Sequence, residues 1–176
     1  MNARIALAAA MLCAAAPIAG AQQSSPLADA VRAATKEAQQ NLVGAAELMP
    51  ADKYGYKPTA AQMSFGQLML HVAGSNDFLC SRITGAKAPT EAKLDASAAK
   101  DVLVARLKRS FEYCTNVLAN VTDAGIADSI PFFGGHKVTK AAAMVSLAAD
   151  WDDHYAAAAI YLRLNNILPP TARKPE

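Results

Sequence analysis

The chain has 176 residues, enough for one domain once any targeting segment is set aside. Hydrophobic residues make up 53% and charged residues 18%, so material for a core is ample, and the excess of alanine favours helix over strand. The formal charge is only +2 and no stretch concentrates lysine or arginine, which excludes the basic face of a nucleic-acid binder.

The chain opens with the pattern of a signal peptide. Arg4 supplies a positive start, residues 5–16 form an apolar run too short to span a bilayer, and Pro17 breaks it. Ala19-Gly20-Ala21 then offers an A-x-A cleavage site, so residues 1–21 are expected to be removed and the mature chain to begin at Gln22. Leu12 precedes Cys13 where a lipoprotein cysteine needs a small residue. The expectation is a soluble periplasmic or secreted protein with no stable membrane anchor.

Four helical stretches follow. The first covers residues 27–48, with Leu27, Val31, Ala34, Ala38, Leu42 and Ala45 recurring by threes and fours on one face, and Met49-Pro50 ends it. Residues 51–63 form a connection containing Tyr54, Tyr56 and Pro58. Ser64 and Gln67 make a capping box for the second helix, and Met63 and Leu68 stand at the positions of a hydrophobic staple. Leu68, His71, Val72, Phe78 and Leu79 then keep helical spacing to Ile83, with Gly85 as the stop. A polar, proline-containing crossover occupies residues 86–97. The third helix covers residues 98–121 through Leu103, Leu107, Phe111, Cys114 and Leu118. Residues 122–138 read as irregular, and Thr139 caps a fourth helix reaching Asn165. Leu168-Pro169-Pro170 closes the domain, 22–170, and residues 171–176 form a charged tail expected to fray. No useful period-two segment or internal repeat appears, so the expected fold is an all-α four-helix bundle.

The mature chain keeps Cys80 and Cys114. Export permits a disulfide, and two buried free thiols are the alternative. Cys80 lies near the end of the second helix and Cys114 in the C-terminal half of the third. Antiparallel helices would put them at opposite ends. A crossover that carries the chain back along the bundle makes the helices parallel and brings both cysteines to one end. The Cα separation of about 4.4–6.8 Å that a disulfide needs is reachable only there. The reading is a crossover topology with a Cys80–Cys114 bridge.

Candidate chemistry concentrates around two histidines. Asp150 and His154 are four residues apart and project from one face of the fourth helix, close to the stripe of Met144, Leu147, Ala158, Tyr161 and Leu162. An inward carboxylate beside an inward imidazole is costly without a partner, and a divalent cation is one good partner. His71, on the apolar side of the second helix, can complete the set. Two imidazoles and a carboxylate leave open coordination positions and suit zinc, nickel, iron or manganese. The same spacing also fits a hydrogen-bonded ion pair with His71 as a core histidine. Asp152 and Asp153 fit solvated surface, Asp153 and Tyr155 are candidates to orient a ligand from behind, and His136 fits a loop residue. Trp151, Tyr155 and Tyr161 read first as packing. There is no G-x-S-x-G, phosphate loop or dinucleotide fingerprint.

Ser64-Phe65-Gly66-Gln67-Leu68-Met69-Leu70-His71-Val72-Ala73-Gly74 resembles the start of the second helix in DinB-like (DinB/YfiT) proteins. Asp150-Trp151-Asp152-Asp153-His154-Tyr155 and the run from Tyr161 to Pro170 resemble that family's last helix and exit, and residues 46–58 its first connection. The resemblance implies a bundle with a long crossover between helices two and three. It also implies a metal site with one histidine from helix two, at His71, and two ligands from helix four. His154 matches one of these. The other is commonly histidine, although some relatives carry aspartate, and here it is Asp150. The family's frequent Gly-Gln after the last ligand is Ala156-Ala157 here. Characterised relatives include mainly cytoplasmic thiol-dependent isomerases and transferases, so an exported member is expected to meet a different small-molecule substrate.

Three functions are compatible with this reading. One is a divalent-metal-dependent enzyme of the thiol-transfer or hydrolysis type. Another is a non-catalytic exported bundle that binds a metal or small ligand. The last is a structural bundle with a vestigial triad. A homodimer paired through an exposed helix face is one assembly such a bundle can form.

Overall fold

The computed structural model describes residues 25–173, so the expected signal peptide and cleavage site, at residues 1–21, and the last tail residues lie outside the described part. Among the described residues four α-helices carry the fold: α1 (Pro26–Leu48), α2 (Phe65–Thr84), α3 (Lys100–Leu118) and α4 (Lys140–Leu164). Each begins and ends for a local reason. Pro26 stands in the first turn of α1, where a missing N–H costs nothing. The free amides of Leu27 and Ala28 donate to the Asp123 carboxylate at 3.1 and 2.9 Å. In return Arg32 donates to the carbonyls of Leu118 and Val121, at 3.2 and 2.7 Å, and closes the end of α3. A carboxylate therefore sits at a positive helix end and a guanidinium at a negative one.

At α2 the capping box is present in both directions. Ser64 Oγ accepts from the Gln67 amide at 3.2 Å, and Gln67 Oε1 accepts from the Ser64 amide at 2.7 Å. Gly85 ends the helix at φ 73°, a left-handed conformation that costs glycine little. Thr139 caps α4 by accepting from the Ala142 amide at 3.1 Å. Met63 stays 44% exposed, with its carbonyl accepting from Tyr161.

Helix α2 packs on α3 and α4, and so does α1. Contacts between α2 and α3 rise together along both helices: Arg106 reaches Ala73 and Asp77, Asn76 reaches Ser110, and Cys80 meets Cys114. These two helices are therefore parallel, and the segment between them is the crossover that the cysteines require. The two sulfurs lie at disulfide distance with Cα atoms 5.4 Å apart. Helix α4 runs the other way against α2: Tyr161 meets Met63, His154 meets His71, and Trp151 meets Asn76.

The core is largely apolar, and its fully buried polar side chain is Asn76. Asn76 is fully buried, accepts from Trp151 Nε1 at 2.7 Å and donates to Ser110 Oγ at 3.0 Å, and Ser110 in turn donates to the Leu107 carbonyl at 2.7 Å. One amide thus joins α2, α3 and α4. Nearby, Arg106 is only 7% exposed and pairs with Asp77, while Glu91 of the crossover accepts from Arg109. Burial raises the Asp77 carboxyl pKa, an effect that Arg106 opposes.

Two segments differ from the sequence expectation. The stretch before α4 holds a hairpin, β1 (Ser129–Pro131) with β2 (Lys137–Thr139), antiparallel with Ile130 opposite Val138. Three-residue strands are too short to show alternation in sequence. Gly134 and Gly135 close its tip at φ 62° and 77°, and Phe133 stacks on Phe78 of α2 at 4.4 Å. The start of the charged tail is docked: Pro170 contacts the Gly44 position on α1, and the Thr171 amide donates to Tyr155 at 3.0 Å.

Replacing Asn76 by Ala orphans the Trp151 N–H and is expected to lower unfolding free energy by about 1–3 kcal/mol in urea denaturation. For the cysteines, a non-reducing mass measurement should find no free thiol in protein recovered from an oxidising compartment. A double Cys80→Ser, Cys114→Ser variant should lose about 2–4 kcal/mol.

Candidate functional site

Antiparallel packing of α2 on α4 brings His71 beside His154, with ring centroids 4.8 Å apart and planes 41° apart. The His154 side chain is 14% exposed and that of Asp150 22%, whereas His71 is exposed. The cluster therefore sits in the outer seam between the helices and not in the interior, which corrects the inward placement expected from the apolar stripe. Trp151, next to Asp150, is the residue that points inward, and its indole fills the core position. Asp150 and His154 are left at the edge of the buried face.

The imidazole of His154 is oriented from within its own helix. Nδ1 lies 2.5 Å from the Asp150 carbonyl oxygen, so it carries the proton and donates, and Nε2 keeps its lone pair. Histidines that bind metals are commonly fixed this way, by giving the other N–H to a backbone carbonyl. The Asp150 Oδ1 atom stands 3.6 Å from the same Nδ1, and Oδ2 is buried without any partner among the described residues. Burial pushes the Asp150 carboxyl above the usual carboxylate range. His154 and His71 oppose the rise, Asp153 adds to it, and the Ser75 hydroxyl beside the carboxylate acts against it as a donor. Among the described residues no three His, Cys, Asp or Glu side chains already converge as a metal cage. A common ligand needs the exposed His71 ring to turn toward Asp150 and His154.

His71 also lines a hollow of about 450 Å³ with Met63, Leu70 and Leu94 as apolar walls and Gln67, Asp95 and Ala96 along one side. A larger hollow of about 910 Å³ shares those last three residues and extends to the start of α3 at Lys100. Among the described residues no helix is long and apolar enough to cross a membrane.

The DinB superfamily model matches residues 34–158, a span that holds His71, Asp150, His154, Cys80 and Cys114. The chain belongs to the DinB superfamily. Two solved structures are similar to it. A DinB-like protein of Bacillus subtilis is 22% identical, with a TM-score of 0.66 over 83% of this chain and 99% of that one. A conserved protein of Enterococcus faecalis is 19% identical, with a TM-score of 0.63 over 77% of this chain and 95% of that one. At these identities the likeness shows the fold. No curated protein matches the chain.

Other candidate residues of this DinB protein fall outside the cluster. Tyr155 is turned toward α1 and the C-terminal turn, where its hydroxyl meets Thr171 Oγ1 at 2.8 Å. Asp153 is exposed and acts on Asp150 through its charge. Asp152 is solvated, and His136 is an exposed loop residue at the hairpin tip. Ser75 and Asn76 were not singled out in the sequence. For Ser75 the signal was its spacing, four residues from His71, which mirrors Asp150 and His154.

A carboxyl whose pKa rises on folding costs stability only where it is ionised. The cost is absent below its unfolded value of 3.8 and complete once the pH has passed the raised folded value. In chelator-treated protein, Asp150→Asn should therefore be more stable than wild type near neutral pH. That advantage should fade as the pH falls toward about 3.8, read as urea midpoints across the range.

Proposed function

We propose that this exported DinB protein holds one divalent cation, zinc, nickel, iron or manganese, between His71, Asp150 and His154, and that the site acts on a small molecule by thiol transfer or hydrolysis. The observation that carries the reading is the buried Asp150 Oδ2, which has no partner among the described residues and lies beside two imidazoles brought from a different helix and a different turn. Burying half a carboxylate unpaired is unfavourable, and a cation compensates it. The donor chemistry fits: Nε2 of His154 is free because Nδ1 is engaged, and exposed His71 can rotate without displacing core atoms. Export rests on the pattern of residues 1–21 and agrees with a cysteine pair at disulfide distance.

Two imidazoles and a carboxylate leave positions open to a ligand, and a cation bound there would acidify a water or thiol. The chain supplies the rest. Asp150 offsets charge, and His71 borders the hollow in which Met63, Leu70 and Leu94 would hold the apolar body of a substrate. Exposed Asp153 is the nearby free carboxylate able to take up a released proton.

Titration of chelator-stripped protein with zinc, nickel and manganese should give one cation per chain for at least one of them. At a hundred-fold excess over Kd, stability should rise by about 2.7 kcal/mol. His71→Ala and His154→Ala should each abolish that stabilisation while leaving the metal-free unfolding transition nearly unchanged. Failure of every cation to bind would remove the reading. Binding without any exchange of an added thiol or other ligand at the bound cation would favour a non-catalytic carrier.

A further inference from the structure

The hollow of about 450 Å³ beside His71 does not end at its own walls. Gln67, Asp95 and Ala96 line it and also line the hollow of about 910 Å³ that reaches Lys100. The two meet where the crossover lies against the first turn of α2. Gly66 permits that close approach: a Cβ there would stand 2.6 Å from the Ala96 carbonyl oxygen and 3.2 Å from Leu103 Cδ1. Each volume lies in the range of sites that hold drug-sized molecules, and an elongated molecule can occupy both.

The chemistry of the larger hollow follows from which of its polar groups are already engaged. Tyr54 is buried and its hydroxyl donates to the Ala46 carbonyl at 2.6 Å, so a ligand meets its ring. Ser64 Oγ accepts from the Gln67 amide. Val104, Ala51, Ala98 and Ala99 add apolar wall. Three carboxylates line this hollow. Glu47 pairs with Lys108 at 2.6 Å, Asp95 accepts from the amide and hydroxyl of Ser97 at 2.8 and 2.6 Å, and Asp101 has no ion pair among the described residues. Lys57 and Lys100 line it too, and neither has a carboxylate partner among the described residues. Lys100 donates to the Glu47 carbonyl at 2.6 Å, which leaves its charge uncompensated. Both lysines belong to the larger hollow alone, whereas Asp95 stands at the junction with the smaller one. Two ammoniums facing the one unpaired carboxylate of Asp101 favour a monoanion, and Asp95 repels it from the junction.

We propose that the two hollows form one trough for an elongated, mainly apolar small molecule with a carboxylate at one end. The carboxylate lies with Lys57 and Lys100, the body crosses Gln67 and Ala96, and the other end reaches His71. Only the role of that other end, as the part on which the cluster acts, rests on the cation reading above.

The probe is decanoate, with decanol and butyrate as controls, added to chelator-treated full mature protein so that no cation can hold the carboxylate. Calorimetry should find one decanoate per chain, bound about tenfold more tightly than decanol, because only the acid makes charge-assisted bonds to the lysines. Lys57→Gln and Lys100→Gln should each bring decanoate toward the decanol value. Ala99→Trp, at an exposed wall position, should abolish uptake with the melting temperature unchanged. The imidazole proton resonances of His71 should move with decanoate and stay still with butyrate, since His71 stands five residues past Gly66, about 7.5 Å of helix rise. Equal binding of decanoate and decanol, or undiminished uptake by both lysine variants, would overturn the proposal. So would uptake that leaves the His71 resonances unmoved, because the hollows would then be separate. If decanoate binds as described and no cation does, the trough stands and the cation reading fails. If cations bind and decanoate does not, the trough fails and the cation reading stands.

Discussion

The rest of the structure depends on the side-chain amide of Asn76. It is fully buried in a largely apolar core and is satisfied by two particular partners, Trp151 on α4 and Ser110 on α3. Apolar packing tolerates sliding and rotation between helices, but a buried amide does not, since any shift leaves a donor or acceptor without a partner. Fixing Trp151 inward determines where its neighbours go. Asp150 is turned to the edge of the buried face, and His154, a turn later, meets His71. The geometry of the outer cluster is thus set by a bond in the middle of the core.

A second polar contact does comparable work between α2 and α3. Arg106 and Asp77 pair where both side chains are nearly buried, and Glu91 brings the crossover down onto Arg109. A buried ion pair adds little net stability, because desolvation offsets the attraction, yet breaking it by removing one partner is costly. Its consequence here is register. With Asp77 matched to Arg106, Asn76 falls opposite Ser110 and Cys80 opposite Cys114, so one alignment satisfies all three pairs.

Much of this was legible in the sequence for identifiable reasons. Ser64 with Gln67, Gly85, and Thr139 are local signals whose partners lie within four residues, and each marks a helix end correctly. The two cysteines carried long-range information because a disulfide tolerates only a narrow span, which selected the parallel arrangement of α2 and α3. Side-chain direction at the edge of a helical face was not legible. His71 follows Leu68 by three and precedes Val72 by one, so spacing alone places it with the apolar face, while the fold leaves it exposed. Tyr155 fails for the same reason, since a rotation of 100° per residue carries it from the α2 side of α4 to the α1 side. The hairpin went unseen because its strands are shorter than the shortest alternation that sequence can show.

The Cys80–Cys114 pair also gives the chain a topology that its backbone alone lacks. With the sulfurs joined, residues 80–114 become a covalent ring that contains the whole crossover. A peptidase that cut the exposed stretch around Lys87 or Lys93 would open this ring without separating the molecule into fragments. α1 and α2 would stay tied to α3 and α4, and the nicked protein would keep its helical core and differ from the intact one by the mass of a single water.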